Sequence, residues 1–132
     1  MTVHHIGYLV KKLDRAAADF AALGYEAQGG PCRDEGRGVD ILFLRKDSYT
    51  DELVSPFSPG SVVAGLIKTY KNAPYHICYE TADFERELAA LESGGYTRMD
   101  EPTPAPAIGG RRVCFLYSAR IGMIELLEGG GA

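Results

Sequence analysis

The chain has 132 residues, 45% hydrophobic and 24% charged, which suffices for one domain with a real core and is too few for two independent domains. The formal net charge of -4 and the scattered Lys and Arg residues exclude the basic surface that nucleic-acid binding requires, so we expect a small-molecule partner. No apolar stretch is long enough to cross a membrane, and the opening residues lack the pattern of a secretion signal. We therefore expect a cytoplasmic protein that binds no membrane.

The first part of the chain predicts one helix among four strands. Asp14 marks the start of a helix over 15–23, where alanine, leucine and phenylalanine recur at helical spacing. Gly24 stands where a helix commonly ends in a left-handed residue. β-Branched and aromatic residues predict the strands, at residues 3–10, from Tyr25 onward, at 39–44 and at 52–54.

The second part of the chain predicts the same order of elements after a connecting segment. Pro56, Pro59 and Gly60 interrupt the chain before a predicted short helix over 61–70. A second long helix is predicted over 84–93, directly after Asp83. The strands of this part are predicted at residues 75–81, from Tyr96 onward, at 113–117 and at 123–127.

The two parts are copies of one unit, because short motifs recur in the same order. The segment HIGY at 5–8 matches HICY at 76–79, and three dipeptides follow it: Gly24-Tyr25 with Gly95-Tyr96, Phe43-Leu44 with Phe115-Leu116, and Glu52-Leu53 with Glu125-Leu126. The spacing grows from 71 to 73 residues along the chain, as expected if the insertions fall in turns. Chance similarity between amphipathic segments is the alternative.

Each copy reads strand, helix, strand, strand, strand, and one sheet face of such a unit needs a partner copy to cover it. We therefore predict an α+β domain of two paired βαβββ modules. Module one covers about 1–56, a linker helix lies within about 57–73, and module two covers about 74–128. A flexible glycine-rich tail is expected at 129–132.

Two histidines and two glutamates recur with the repeat, and these are metal-ligand residue types. They are His5 with His76, and Glu52 with Glu125. Glu125 interrupts an otherwise apolar strand, where a carboxylate is costly to bury unless it is paired or bound to a metal. If a pseudo-two-fold axis relates the copies, the four residues converge on one ion, and their donors suit Zn, Ni, Co, Mn or Fe.

Other polar residues are weaker candidates. His4 alternates away from His5 on its strand and is left out of the site, whereas Glu80 shares the face of His76 and is expected near the cavity. Arg111 and Arg112 follow a Pro- and Gly-rich loop that is able to fold over the site and bring a guanidinium to a substrate carboxylate or phosphate. A solvated pair at the start of a strand is an equally good interpretation.

The three cysteines have no metal-binding or redox spacing. They are Cys32, Cys78 and Cys114, and two of them lie in apolar strand-like segments. A free cysteine mostly behaves as a small buried hydrophobe, so we expect reduced structural residues rather than nucleophiles or ligands.

Nearly the whole chain resembles the vicinal oxygen chelate superfamily, the glyoxalase/bleomycin resistance protein/dioxygenase group. The segments HHIGYLV, ELVSPFSPGSVV, YHICYE, GRRVCFLYS and GMIELLE look most like its methylmalonyl-CoA epimerase branch. The resemblance implies a curved mixed sheet and makes His5, Glu52, His76 and Glu125 the ligands of one divalent metal ion. Glu52 stands where the epimerases usually have Gln and is similar to the glyoxalase I lyases. Ser118-Ala119-Arg120 replaces the family's usual Pro-Lys, a departure that bears on recognition of a coenzyme A thioester.

The superfamily's chemistry implies proton transfer next to a metal-chelated carbonyl, as in an epimerase, isomerase or lactoylglutathione lyase. Glu125 is then the expected base, and Glu52 the carboxylate that returns the proton on the opposite face. A resistance-type protein that binds a metabolite or an antibiotic is the alternative, and an extradiol-type dioxygenase is a weaker one. We also expect a homodimer, because open edge strands leave apolar surface for a second chain.

Overall fold

The computed structural model describes residues 1–130 and confirms the α+β class and the repeated βαβββ order. Its contacts divide the chain into two compact units. One unit is His5–Tyr75, and the other consists of Met1–His4 together with the chain from His76 onward.

The His5–Tyr75 unit is built on the first βαβββ copy, whose first strand begins just before it. Its elements are β1 Thr2–Leu9, α1 Leu13–Ala22, β2 Glu26–Asp34, β3 Val39–Lys46, β4 Tyr49–Pro56 and α2 Ala64–Tyr70. The strands lie in the order β2-β3-β4-β1, with β1 parallel to β4 and the other neighbours antiparallel. The sheet of this copy is therefore mixed.

The other unit holds the second copy with the same strand pairing. Its elements are β5 Ala73–Thr81, α3 Phe84–Ser93, β6 Thr97–Arg98, β7 Thr103–Ala105, a 3-10 turn at Pro106–Ile108, β8 Arg111–Ser118 and β9 Gly122–Glu128. The order is β5-β9-β8-β6, with β5 parallel to β9 and with β7 also paired to β8. The single strand predicted from Tyr96 onward is divided into β6 and β7, since Pro102 and Pro104 lack the N–H that a continuous ladder needs.

The two long helices begin differently. Asp83 caps α3, where its side chain accepts a hydrogen bond from the Arg86 backbone N–H at 3.3 Å. The helix α1 begins at Leu13, two residues earlier than predicted, and Asp14 lies in its first turn. Both helices are followed by a left-handed glycine, Gly24 with φ +98° and Gly95 with φ +101°, as the sequence predicts.

Each long helix packs on strands of its own copy through equivalent residues. In the first copy α1 covers Leu42, Leu44 and Leu53, and Tyr8, Phe20 and Tyr25 form a chain of edge-to-face aromatic contacts. In the second copy α3 covers a cluster that contains Leu116 and Leu126, with Tyr79, Leu91 and Tyr96 at its margin. Each copy therefore has its own core. Burial of each such side chain contributes about 1.5–3 kcal/mol to the free energy of folding.

The linker helix and residue Gly129 complete the described part of the chain. The linker helix begins at Ala64 rather than near Ser61, because the chain first makes a turn in which the Ser61 hydroxyl accepts a hydrogen bond from the Val63 N–H. In the predicted flexible tail, the Gly129 N–H donates to the Thr81 carbonyl at 2.8 Å, and residues 131–132 lie outside the described part. Over the described residues, no helix has the length and apolarity to span a membrane.

Candidate functional site

The first copy places a buried histidine beside a buried glutamate. His5 comes from β1 and Glu52 from β4, where Glu52 lies opposite Gly7 in the parallel ladder. Side chains alternate along a strand, so His5 shares the face of Gly7. Its Nε2 is 3.4 Å from Glu52 Oε1, and the two side chains are only 0% and 6% exposed.

The second copy repeats this arrangement. His76 lies on β5, two residues before Cys78, which is opposite Glu125 of β9 in the parallel ladder. The distance from His76 Nε2 to Glu125 Oε1 is 3.1 Å, and the side chains are 0% and 5% exposed. In each copy the structure therefore brings one of the predicted histidines beside one of the predicted glutamates.

An aromatic ring supports each histidine. Phe43 is opposite Glu52 on the antiparallel β3–β4 ladder, and its ring meets His5 edge-on with centroids 5.4 Å apart. Phe115 is opposite Glu125 in the same way, and its ring meets His76 at 5.0 Å. Both rings fix the imidazole plane by contact. The sequence analysis gave these phenylalanines no role in the site. Their recurrence in the matched dipeptides Phe43-Leu44 and Phe115-Leu116 was the feature that could have indicated one.

The donor chemistry of each pair fits a divalent metal ion. His5, Glu52, His76 and Glu125 are all buried and each offers one ligand atom. Two donors bonded to one ion at about 2.1 Å lie about 3.0 Å apart in an octahedral shell and about 3.4 Å apart in a tetrahedral one. The separations within the pairs, 3.4 and 3.1 Å, agree with those values.

Glu80 and Arg111 form an ion pair in the second copy. Arg111 Nε also donates to the Glu128 carbonyl at 2.8 Å. Glu80 is four residues from His76 on β5, and Arg111 is four residues from Phe115 on β8, so both lie on the strand face that carries the His76–Glu125 pair. Arg111 is therefore held in place by its own unit.

Arg112 lies on the opposite strand face, toward α3. Its guanidinium pairs with Glu85 at 2.9 Å and with Glu128 at 3.0 Å, and it stacks over the Phe84 ring. These carboxylates raise the pKa of Arg112, and the guanidinium in turn lowers the pKa of Glu128. The structure therefore places Arg112 away from the His76–Glu125 pair, and its neighbours match the alternative interpretation of a pair at the start of a strand.

Asp51 is a buried carboxyl that the sequence pattern did not indicate. It precedes Glu52 on β4, faces the opposite way and is 6% exposed. Burial raises the pKa of Asp51, and a hydrogen bond from Tyr25 and the charge of His5 partly offset this rise. The corresponding residue of the second copy is Ile124, so the carboxyl is particular to the first copy.

The cysteines have the environment of structural residues. Cys78 and Cys114 are fully buried and Cys32 is half-buried, and none of the three forms a disulfide bond. Burial and the nearby Asp100 raise the pKa of the Cys114 thiol to about 11. Because the thiolate is the nucleophile, a thiol that keeps its proton at neutral pH does not serve as one.

Comparisons with known proteins show the family and the fold of the chain. Residues 4–115 match the family described as the glyoxalase/bleomycin resistance protein/dioxygenase superfamily. The ethylmalonyl-CoA/methylmalonyl-CoA epimerase of Cereibacter sphaeroides is 30% identical over 117 residues, which cover 87% of each chain. A hypothetical protein from Bacillus halodurans C-125 superposes with a TM-score of 0.88 at 25% identity, covering 99% of this chain and 96% of its own. The methylmalonyl-CoA epimerase of Mycobacterium tuberculosis has the same fold, with a TM-score of 0.84 at 21% identity over 98% of this chain and 88% of its own.

Proposed function

The chain belongs to the glyoxalase/bleomycin resistance protein/dioxygenase superfamily, and from this premise we propose that it is a divalent-metal-dependent enzyme. Its reaction is the transfer of a proton to or from a carbon next to a carbonyl, as in an epimerase or isomerase. The observation that carries the proposal is the recurrence of one buried His–Glu pair in both copies, with the same strand register and the same aromatic support.

The proposal assigns all four residues to one metal ion. His5 and Glu52 would supply one pair of donors, and His76 and Glu125 the other. The repeat supports this assignment, because the His and Glu residues are identical in the two copies whereas several residues beside them differ. When bound, the ion supplies a Lewis acid that stabilises negative charge on the substrate's carbonyl oxygen.

The carboxylates have a second role in the proposal. Glu125, as a carboxylate, takes the proton from the substrate carbon, and Glu52, as a carboxylic acid, gives its proton to the opposite face. Both side chains are buried, so bulk water competes little for that proton. Phe43 and Phe115 hold the imidazole rings of His5 and His76 in place.

The first substrates to examine are small acyl thioesters with an acidic α-hydrogen. The relative from Cereibacter sphaeroides is named an ethylmalonyl-CoA/methylmalonyl-CoA epimerase. Arg111 is a candidate for the substrate's anionic group, because it is held on the strand face of His76 and Glu125. Glu80 positions Arg111 in this assignment. Arg112 pairs with Glu85 and Glu128 on the opposite strand face and has no substrate role in it.

The experiment that tests the proposal is solvent deuterium exchange followed by NMR. The metal-free protein is loaded separately with Zn, Ni, Co or Mn and incubated in D₂O with 2-substituted malonyl thioesters and with hemithioacetals. We expect the α-hydrogen of one substrate class to exchange only when the metal is present. Absence of exchange with every metal and both classes would leave the binding-protein alternative in its place.

A further inference from the structure

The second copy carries an exposed apolar surface beside its His–Glu pair. We name Met99, Tyr117 and Met123 the apolar ledge. Met99 is 52% exposed and Tyr117 46% exposed, and Met123 is half-buried. Exposed apolar residues that cluster on one face usually mark a place where something binds.

Strand register places the ledge on the same face as the His76–Glu125 pair. Tyr117 is two residues beyond Phe115, whose ring contacts His76. Met123 is opposite Tyr117 and two residues before Glu125. Two residues along a strand span about 7 Å, so Met123 of the ledge lies about 7 Å along β9 from Glu125, the proposed base.

Met99 joins this surface from the neighbouring strand. Its N–H donates to the Phe115 carbonyl at 2.8 Å, which continues the β6–β8 ladder by one residue. Arg98, the residue before it, points to the helix side, where it pairs with Glu92 of α3. Alternation therefore turns Met99 to the side of Phe115 and Tyr117.

The first copy has polar residues at the three corresponding positions, which are Gln28, Arg45 and Thr50. The register is the same in both copies: Arg45 is opposite Thr50 as Tyr117 is opposite Met123, and Gln28 is opposite Phe43. The fold thus forms without apolar side chains at these positions. The His–Glu pairs are kept in both copies while the residues beside them differ, which indicates a role specific to the second copy.

We propose that the apolar ledge binds an uncharged alkyl or aryl group of the substrate, attached to the carbonyl end that reacts at Glu125. This inference rests on the proposed function and adds a substrate class to it. The thioether side chains of Met99 and Met123 adapt to the shape of an apolar group, and the Tyr117 ring gives it a flat contact. None of the three residues carries a charge that would bind an anionic group.

The test compares two hydroxamates, since a hydroxamate presents two neighbouring oxygens to a metal ion. Acetohydroxamate and hexanohydroxamate differ only in the length of the alkyl chain. Burial of a methylene is worth about fourfold in affinity, so partial burial of the longer chain on the ledge predicts binding to the zinc-loaded protein at least about tenfold tighter in calorimetry. Equal affinities would overturn the proposal.

Methionine NMR locates the chain directly, because the protein has only three methionines. With ¹³C-methyl labels, the Met99 and Met123 signals should shift on addition of hexanohydroxamate and much less with acetohydroxamate, while Met1 provides a third signal for reference. If the longer probe binds more tightly and neither signal moves, the alkyl group lies elsewhere and the proposal is wrong.

The variant Tyr117→Arg with Met123→Thr gives two of the three ledge positions the residues of the first copy. We expect it to bind acetohydroxamate as the wild type does and to lose the gain from the longer chain. Arg45→Ala, at the exposed position of the first copy that corresponds to Tyr117, is the matched control and should keep that gain. Retention of the gain by the double variant would contradict the proposal.

Two further outcomes separate substrate binding at the ledge from failure of the metal site and from contact between chains. If neither hydroxamate binds the zinc-loaded protein, the proposed metal chemistry fails. Hexan-1-ol is then titrated into the metal-free protein. Shifts of the Met99 and Met123 signals would support binding of an alkyl group at the ledge, and unchanged signals would overturn it. If the double variant changes a wild-type dimer to a monomer in light scattering and leaves hexanohydroxamate binding unchanged, the ledge is a contact between chains and the proposal is overturned.

Discussion

At the scale of single residues, each carboxylate of the proposed site has a different task from its histidine neighbour. Glu125 and His76 are in contact at 3.1 Å, and both are buried. A histidine that binds a metal is needed for the ion to remain, whereas a carboxylate that also takes a proton is needed for the reaction even when the ion is present. Variants at the two positions should therefore fail in different ways.

The substitution Glu125→Gln keeps an oxygen donor and nearly the same volume, but an amide does not accept a proton at neutral pH. We expect metal content to stay near that of the wild type while deuterium exchange into the true substrate falls about 10²- to 10⁴-fold. Metal analysis and the NMR exchange rate, measured on the same preparation, check this. Near-normal exchange with metal retained would make Glu125 a ligand only, and Glu52 or Glu80 would then be the candidate base.

The cysteines provide a second prediction at this scale. The half-buried Cys32 should react first with a thiol reagent in the native protein, and Cys78 and Cys114 should react only on unfolding. The raised pKa of Cys114, about 11, slows its reaction further because little thiolate is present at neutral pH. Mass spectrometry after timed alkylation measures the order. Fast labelling of Cys114 in the folded protein would contradict the burial described above.

At the scale of elements, the sequence predicted most of the strands and both long helices, because periodicity and the paired glycines were clear. The helix α3 was predicted with the bounds that the structure shows. The sequence did not predict that the strand after Tyr96 is divided in two. Hydrophobic periodicity shows which residues face the core, but it does not show that Pro102 and Pro104 lack the N–H that a continuous ladder needs. Asp51 was missed because nothing in its spacing separates a buried carboxyl from a solvated one.

The matched core leucines test whether each copy has its own core. Leu53 and Leu126 are equivalent in the repeat, and both are fully buried. Each leucine-to-alanine change should lower the free energy of unfolding by about 2–5 kcal/mol, because it removes buried methyl groups and leaves a cavity. Denaturant unfolding monitored by circular dichroism measures this. A loss below about 1 kcal/mol at either position would argue against the packing described.

The start of α3 gives a smaller effect with a built-in control. Asp83→Ala removes the cap that accepts from the Arg86 N–H, which should cost about 1 kcal/mol in the free energy of unfolding. Asp14→Ala changes a first-turn aspartate of α1 that is not its N-cap, so its cost should be smaller. Equal losses for the two variants would show that the charge at the helix end matters more than the cap.

At the scale of the whole molecule, the repeat explains why the candidate site could be predicted at all. Packing alone does not require a histidine on the first strand and a glutamate on the last strand of a copy. Both residues nevertheless occur at the same register in the two copies. The residues beside the pairs could not be predicted in this way, because the ledge of the second copy and the polar positions of the first have diverged. The role of these differing residues depends on the substrate, and a comparison of the two copies gives no information about the substrate.

The proposed homodimer belongs to this scale. Light scattering of the wild type at micromolar concentration should give twice the chain mass of 14.3 kDa. A monomer over that concentration range would show that this chain needs no partner copy.

The metal content of three proteins tests the central claim most directly, because one ion shared by both pairs makes each histidine indispensable. After reconstitution with zinc and removal of excess metal, elemental analysis should give one ion per wild-type chain and nearly none for either His5→Ala or His76→Ala. Circular dichroism shows whether the variants remain folded. Two ions per wild-type chain, or one ion retained by a folded His5→Ala or His76→Ala variant, would contradict a single site built from both copies.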